Sequence, residues 1–266
     1  MSTTTAPDRA TRYRRLRNYN LFNGVAHLGQ VIAILALSND LALPLLGSFL
    51  SDDPVAAISG VGRGEFPPVE QVGSVRVGLW VAVFLAFAAA DHLLTALPLR
   101  GWYERKLDER ANYARWIEYS ISSSIMVVLI AMFVGIWDVG AVVGMFAANS
   151  AMIIFGLIME RRESVEDPDM SAFWWGTVFG LVPWLLLVYY VIQGGGTVPG
   201  FVYVILVVQF LLFWSFGMNM WLQYRQVGRW KDYIFGEYVY ITLSLAAKTL
   251  LAWLVFANVL TAELRA

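Results

Sequence analysis

The chain has 266 residues, of which 58% are hydrophobic and 15% charged, and its formal net charge is −1. A soluble domain usually carries about 25% charged residues, so this composition excludes an ordinary soluble globular protein. The nearly balanced charge argues against a nucleic-acid partner, and the lack of cysteine excludes a disulfide framework and a thiolate metal site.

Apolar segments of about 20 residues, the length that crosses the hydrocarbon core of a bilayer, recur along the chain. They predict an all-α membrane protein that forms one seven-transmembrane helix bundle over residues 1–266. The predicted spans are 20–45, 77–98, 114–136, 139–159, 172–192, 201–222 and 238–260. The first span lacks a small-residue cleavage site, so we expect it to be retained as a helix.

Lys and Arg residues are divided unequally between the two sets of connecting segments. Fifteen lie in the tail 1–19 and in the loops after the second, fourth and sixth spans, whereas Arg63, Arg76 and Arg265 lie on the other side. Positive charge is enriched on the cytoplasmic side of membrane proteins. We therefore predict a multi-pass protein of the cell membrane with a cytoplasmic N-terminus and an extracellular C-terminus.

The longest connection, 46–76, lies on the predicted extracellular side. Its apolar stretches 55–61 and 69–75 are separated by a segment rich in glycine and proline. This pattern predicts two short strands that form a β-hairpin. An irregular surface loop is the alternative.

Lys248 lies near the middle of the seventh span. A charged side chain at the bilayer centre costs roughly 2.5–3.5 kcal/mol on insertion scales, and Lys248 is too deep to reach an interface easily. Two explanations remain. The lysine pairs with a buried acid, or its desolvated amine forms an imine with a carbonyl compound.

Few other ionisable residues lie inside the spans. They are His27 in the first span, Asp91 and His92 in the second, and Glu118 in the third. At a rise of 1.5 Å per residue, His27, His92 and Glu118 fall in the predicted cytoplasmic third of the bundle. Ser244 lies on the same helix face as Lys248, one turn closer to the predicted cytoplasmic side. The spans therefore place a group of polar side chains on the predicted cytoplasmic side of Lys248.

Each of these residues also has a purely structural interpretation. Asp91 would lie at the interface near Arg100, either histidine would be a hydrogen-bonded core residue, and Glu118 would extend toward Arg115, three residues earlier. Under the same interpretation, Lys248 and Glu118 would form an ion pair in a membrane protein without a chromophore.

Three sequence motifs resemble those of the heliorhodopsin family. They are WIEYSISSSIM at 116–126, NMWLQY at 219–224 and SLAAK at 244–248. The resemblance runs through essentially the whole chain, and the family shares the predicted cytoplasmic N-terminus. It implies a retinal-binding photoreceptor.

The resemblance also implies roles for individual residues. Lys248 would carry all-trans retinal as a protonated Schiff base, Glu118 would be its counterion and Ser244 would hydrogen-bond nearby. His27 and His92 would belong to a cytoplasmic polar cavity that accepts the proton temporarily. The other implied retinal contacts are Ser123, Met126, Asn149, Met152, Trp184 and Phe213. A homodimer with loop 46–76 in its interface and an unidentified cytoplasmic signalling partner are further implications.

Ion transport needs a continuous polar route across the bilayer, and the sequence does not contain an obvious one. Ion-pumping rhodopsins usually have an acid where this chain has Ser244, and proton pumps have another where it has Leu129. Residues 250–256 are apolar. There is also no Ser/His/Asp set or His-Glu-x-x-His motif, so we expect a light sensor and not an enzyme. A light-driven or light-gated ion transporter is the alternative function.

Overall fold

The structure is a computed structural model that describes residues 8–49, 53–64 and 66–260. Its elements, in chain order, are α1 (Arg9–Leu37), β1 (Ala42–Ser48), α2 (Pro54–Val61), β2 (Val69–Arg76), α3 (Val77–Ala96), α4 (Arg100–Asp108), α5 (Tyr113–Phe133), α6 (Val139–Arg162), α7 (Ser171–Gly194), α8 (Gly200–Tyr224) and α9 (Tyr233–Val255). A π-helical segment, Phe256–Leu260, continues α9.

Seven helices within these described ranges are long and apolar enough to cross a membrane: α1, α3, α5, α6, α7, α8 and α9 with its π-helical extension. Each overlaps one predicted span, so the predicted seven-helix bundle is confirmed. The side of the bundle where α1 begins is called the N-terminal side below. Helices α5, α7 and α9 also begin on this side because successive spans run in opposite directions.

Helix α1 begins at Arg9, well before the predicted start of the first span at residue 20. Its first turns are polar outside but bury Tyr13 and Leu16 against Tyr103 and Leu107 of α4. Residues 9–19 are therefore helical, although the sequence predicts a tail there. Residues 1–7 of that predicted tail lie outside the described residues.

The predicted strand at 55–61 is wrong, because these residues belong to α2. The side chain of Asp53 accepts hydrogen bonds from the backbone N–H groups of Val55 and Ala56, both at 3.0 Å. This interaction caps a helix N-terminus. Asp53 as a helix N-cap was therefore the local sequence signal for a helix, and it outweighed the preference of the nearby valine and isoleucine residues for a strand.

The predicted strand at 69–75 is confirmed as β2, but its partner is β1, which the sequence analysis placed partly in the first span. The two strands are antiparallel, with Ala42 opposite Arg76 and an irregularity between Leu45 and Leu46. The backbone N–H of Leu46 also donates to the carbonyl of Trp137 at 2.9 Å. The sheet therefore lies against the α5–α6 connection, on the side opposite the N-terminal side.

Two kinds of core fill the bundle. The half away from the N-terminal side is packed with apolar side chains from α3, α5 and α9, including the fully buried Phe84, Ile130 and Val255. The half toward the N-terminal side contains buried polar residues, among them Asn20, His27 and Glu118. The functional candidates lie where these two regions meet.

Candidate functional site

Lys248 is buried in α9 and is held by two neighbours. Its Nζ donates to Oε2 of Glu118 at 3.1 Å and to Oγ of Ser244 at 2.8 Å. Lys248 is 3% exposed and Glu118 is 6% exposed. The ammonium also lies 4.8 Å from the ring centre of Tyr119, within the range of a cation–π contact. The charge that Lys248 places in the membrane is thus compensated by a carboxylate on α5.

The structure does not contain two of the contacts that the purely structural interpretation expected, Glu118 with Arg115 and Asp91 with Arg100. Glu118 does not extend toward Arg115, whose guanidinium pairs with Glu160 and Glu237. Arg100 forms an ion pair with Glu104 at 2.7 Å and not with Asp91. Glu118 therefore faces Lys248 across the interior of the bundle.

A cavity of about 390 Å³ begins at Lys248 and extends between α5, α6, α7 and α8. Its walls are almost entirely apolar or aromatic, with a few hydroxyl groups. Trp174 and Met218, which also line it, are each 56% exposed. The cavity therefore reaches the outer surface of the bundle between α7 and α8.

Most of the predicted contact residues line this cavity. They are Lys248, Ser244, Ser123, Met126, Met152, Trp184 and Phe213. Asn149 is buried but lies behind the wall, where its amide donates to the hydroxyls of Ser123 at 2.8 Å and Ser124 at 3.0 Å. Asn149 therefore orients the wall and does not form part of it.

Several residues that line the cavity were not predicted as retinal contacts. Trp116, Tyr119, Trp214, Phe216, Met220 and Trp221 are among them. Tyr119 is four residues before Ser123, so helical periodicity puts both on one face of α5. That spacing was a usable signal. The α8 residues have no comparable signal, because aromatic and methionine side chains are common on lipid-facing helices.

Two glycines allow the walls to approach closely. A Cβ atom at Gly180 would lie 2.3 Å from Sδ of Met152, and one at Gly156 would lie 2.5 Å from the ring of Trp116. Real Cβ contacts are longer than this, so larger residues would push both side chains out of position. Met152 and Trp116 keep their places in the wall because these positions are glycine.

His27 and His92 lie side by side between α1 and α3. Their rings are parallel, with centroids 5.9 Å apart. Nδ1 of His92 is 2.7 Å from Oδ1 of Asn20, whereas neither ring nitrogen of His27 has a hydrogen-bond partner among the described residues. Both rings are buried, but neither lines the large cavity. They form a separate polar pair on the N-terminal side of Lys248.

A further buried ionic cluster was not predicted. Arg115 of α5 pairs with Glu160 of α6 at 2.6 Å and with Glu237 of α9. The predicted seventh span begins at residue 238, which leaves Glu237 in a loop. In the structure α9 begins at Tyr233, capped by Asp232. The Asp232 cap before an apolar helix was the signal for this earlier start.

The lining chemistry fits an elongated apolar molecule with one carbonyl end. A volume of about 390 Å³ falls within the range of small-molecule sites, roughly 300–1,000 Å³. The aromatic and methionine walls suit a hydrocarbon chain, and Lys248 places a primary amine at one end. Among the described residues, no group of three or more His, Asp or Glu side chains is arranged to hold a metal ion.

The sequence model of a family described as Heliorhodopsin matches residues 16–260 of the chain. No curated protein matches the chain.

Proposed function

The chain belongs to the heliorhodopsin family and is a rhodopsin-type light-sensing membrane protein; we propose that it binds all-trans retinal covalently at Lys248. The observation that carries the proposal is the position of Lys248. Its amine lies at the end of an apolar cavity, buried beside Glu118 at 3.1 Å. The family assignment alone does not select an attachment residue, and this geometry supports one.

Attachment is a condensation. Lys248 would hold retinal through a C=N bond between its amine nitrogen and the aldehyde carbon, with the aldehyde oxygen leaving as water, and a proton on the nitrogen would make the linkage cationic. The bound retinal supplies absorption of visible light and a double bond that isomerises. The protein supplies the amine, the apolar walls and a low-polarity environment that excludes bulk water.

Glu118 is the proposed counterion. A carboxylate beside a cationic nitrogen stabilises the charged form, and Glu118 is the acid that hydrogen-bonds Lys248. Ser244 accepts a second hydrogen bond at 2.8 Å, and the face of Tyr119 adds a weaker attraction for the cation. These three groups fix the position and charge of the nitrogen.

His27 and His92 are proposed to take up the proton after light absorption. Neutral imidazole is a good proton acceptor, and His27 has no hydrogen bond among the described residues that a proton would have to displace. Both rings lie toward the N-terminal side. The proton would therefore stay on that side of the bundle and return to the nitrogen in the dark.

We further propose that the protein signals and does not pump ions. Among the described residues, the side chains that are buried in segments 28–37, 77–90, 125–148, 185–208 and 249–260 include none that is polar or charged, and the partly buried Gln30 and Thr249 there hydrogen-bond each other at 3.0 Å. These segments form the half of the bundle beyond Lys248. Transport across that half would need a polar route, and its core is apolar.

Two features of the assembly are part of this proposal. The N-terminal side faces the cytoplasm, as the distribution of Lys and Arg favours, and an unidentified partner reads the signal there. The protein forms a homodimer whose interface includes the sheet of β1 and β2. Cross-linking in membranes should give a dimer, and an intact dimer after removal of 46–76 would exclude that loop from the interface.

The first experiment is a visible spectrum of the protein expressed with all-trans retinal, compared with Lys248→Ala. Wild-type protein should show a visible band and the variant should not. Lys231→Ala, at an exposed lysine on the N-terminal side, is the matched control and should keep the band. A colourless wild-type protein would mean that Lys248 and Glu118 form a purely structural pair.

A second experiment separates sensing from transport. Cells or vesicles that contain the coloured protein are illuminated in weak buffer while the external pH and the membrane current are recorded. A sensor should produce no sustained change. A pH change that a protonophore abolishes would establish proton pumping, and a light-induced current would establish a channel.

A further inference from the structure

The buried ionic cluster of Arg115, Glu160 and Glu237 has no role in the proposed pigment. Side-chain exposure is 4% for Arg115, 6% for Glu160 and 0% for Glu237. Well-packed apolar residues would join three helices equally well, since the desolvation of buried ions offsets much of their attraction. The cluster therefore calls for an explanation beyond stability.

One side of the cluster contacts the wall of the large cavity. Trp116 lines that cavity, and its Nε1 donates to Oε2 of Glu160 at 2.6 Å. The other oxygen of Glu160 accepts from Arg115 at 2.6 Å and from the hydroxyl of Tyr233 at 3.0 Å. The backbone N–H of Asn112 completes the set at 2.7 Å. With four donors on one carboxylate, a shift of Trp116 displaces the others.

A second connection leads from Lys248 to Arg115. The ammonium of Lys248 lies over the ring of Tyr119, whose hydroxyl donates to the carbonyl of Tyr240 at 3.0 Å. The ring of Tyr240 lies 3.9 Å from the Arg115 guanidinium carbon. Tyr240 is fully buried and does not line the large cavity. Two series of contacts thus converge on the cluster from the proposed chromophore site, and they meet where the rings of Trp116 and Tyr240 pack edge to face at 6.0 Å.

The other side of the cluster contacts a second cavity of about 250 Å³. Glu160 and Tyr233 form its inner wall. Its remaining lining includes Glu109, Glu163 and Ser164, which belong to the connections on the N-terminal side. Glu160 therefore contributes to the cluster and also to the wall of a cavity on the surface where a partner would bind.

We propose that Arg115, held between Glu160 and Glu237, transmits the light-driven change from the large cavity to the second cavity on the N-terminal side. A displacement of Trp116 or Tyr119 pulls on Glu160 or Tyr240, and Arg115 carries it to the second cavity. Arg115 acts here as a positioning residue. The inference rests on the proposed function, because it needs a pigment that responds to light.

The test uses a spin label at the second cavity. The chain has no cysteine, so Ser164→Cys gives a single labelling site at the exposed mouth of that cavity. Illumination should change the mobility of a nitroxide at this position. The control is Ser74→Cys on β2, at the opposite side of the bundle, where light should cause no change.

Tyr240 provides a matched pair of variants. Its hydroxyl has no hydrogen-bond partner among the described residues. Tyr240→Phe therefore removes only this hydroxyl and keeps the ring beside Arg115. Tyr240→Leu removes the ring. Both should retain the visible band, because Tyr240 does not line the large cavity. Tyr240→Leu should reduce the light-induced change at residue 164, because only the bond from Trp116 to Glu160 then connects the two cavities, and Tyr240→Phe should keep the full change.

A charge-balanced variant tests the cluster independently. Combining Arg115→Gln with Glu237→Gln removes one charge of each sign and leaves the net charge of the cluster unchanged. Glu160 keeps the hydrogen bonds from Trp116, Tyr233 and Asn112. This variant should also reduce the change at residue 164. Arg9→Gln, at an exposed ion pair with Asp108 on the same side, should behave like wild type.

The outcomes separate the two hypotheses. A coloured protein with an unresponsive label at residue 164 would overturn the inference and leave the pigment standing. The same conclusion would follow if Tyr240→Leu and the charge-balanced variant responded like wild type. A colourless wild-type protein would overturn the proposed function and this inference with it.

Discussion

Glu118 presents only one of its two oxygens to Lys248. Oε2 lies 3.1 Å from Nζ, whereas Oε1 is buried without a hydrogen-bond partner among the described residues. An ammonium has three protons to donate, so Lys248 can bond Glu118 and Ser244 together. A protonated imine has a single N–H. After retinal attachment, Glu118 and Ser244 would therefore compete for one N–H group, Glu118 as a charged acceptor and Ser244 as a neutral one.

Glu118→Gln should change the visible band strongly. Breaking a buried ion pair costs about 3–5 kcal/mol, so the band should move to longer wavelength or give way to an ultraviolet band of the unprotonated imine. Spectra across a pH series measure this. Glu104→Gln, which removes a carboxylate paired with Arg100 in α4, is the control. An unchanged spectrum for Glu118→Gln would remove Glu118 from the counterion role.

Ser244→Ala should have a smaller effect than Glu118→Gln. A hydrogen bond between a neutral and a charged group contributes about 1.5–3 kcal/mol, and the carboxylate remains in the variant. We expect a modest band shift with the visible form preserved. Ser215→Ala, which removes a hydroxyl bonded to the Leu212 carbonyl in α8, should leave the spectrum unchanged. A shift equal to that of Glu118→Gln would contradict the assignment.

The double variant His27→Phe, His92→Phe should slow light-induced proton transfer. Phenylalanine preserves the stacked rings but removes the proton acceptors. General acid–base groups contribute roughly 10²-fold or more to such steps, and flash photolysis would follow the transient loss of visible absorption. Tyr19→Phe, which removes a hydroxyl bonded to Thr242 on the outer face of α1, is the control. Unaltered kinetics in the double variant would place the acceptor elsewhere.

Gly180→Ala should alter the retinal site through Met152. The added Cβ would lie 2.3 Å from Sδ of Met152, so the thioether must move into the cavity, and overpacking of this kind costs about 1–3 kcal/mol. We expect a shifted band and slower regeneration when retinal is added to the apoprotein. Gly144→Ala, on the same helix as Met152 but with no atom within 4 Å of the added Cβ, should match wild type in both measurements.

The start of α1 should be sensitive to acid through Asp108. Hydrogen bonds from Arg9 and Tyr13 hold the pKa of Asp108 below its usual range. The unfolded carboxyl titrates near pH 3.9, so this stabilisation is complete above that pH and is lost as the pH falls through the lower folded pKa. The pair is exposed, so screening by solvent keeps this contribution small.

Hydrogen exchange in residues 9–16, corrected for the intrinsic effect of pH, measures this change. Protection should fall in acid in the wild type and should already be reduced at neutral pH in Asp108→Asn. Asp40→Asn, which breaks an exposed ion pair with Arg76 at 3.9 Å, should leave protection of α1 unchanged.

The sequence predicted much of the fold because membrane spans are defined locally. An apolar segment must satisfy its backbone groups internally to cross a bilayer, so hydropathy alone identified seven helices. Helix ends were harder, because α1 and α9 begin in polar segments whose order depends on packing and capping. Strand β1 was missed for a related reason, since it is apolar enough to extend a span and is recognised only by its pairing with β2.

By itself, the sequence determined the number of spans and the unequal distribution of positive charge between the two sides. It also determined the need of Lys248 for a partner, which follows from the cost of burying charge in lipid. Only the tertiary structure decided which groups meet. It placed Glu118 beside Lys248, Asn149 behind the cavity wall, and Glu160 and Glu237 around Arg115. Arg115 is 45 residues from Glu160 and 122 from Glu237, and contacts over such separations depend on how the helices pack rather than on any local pattern.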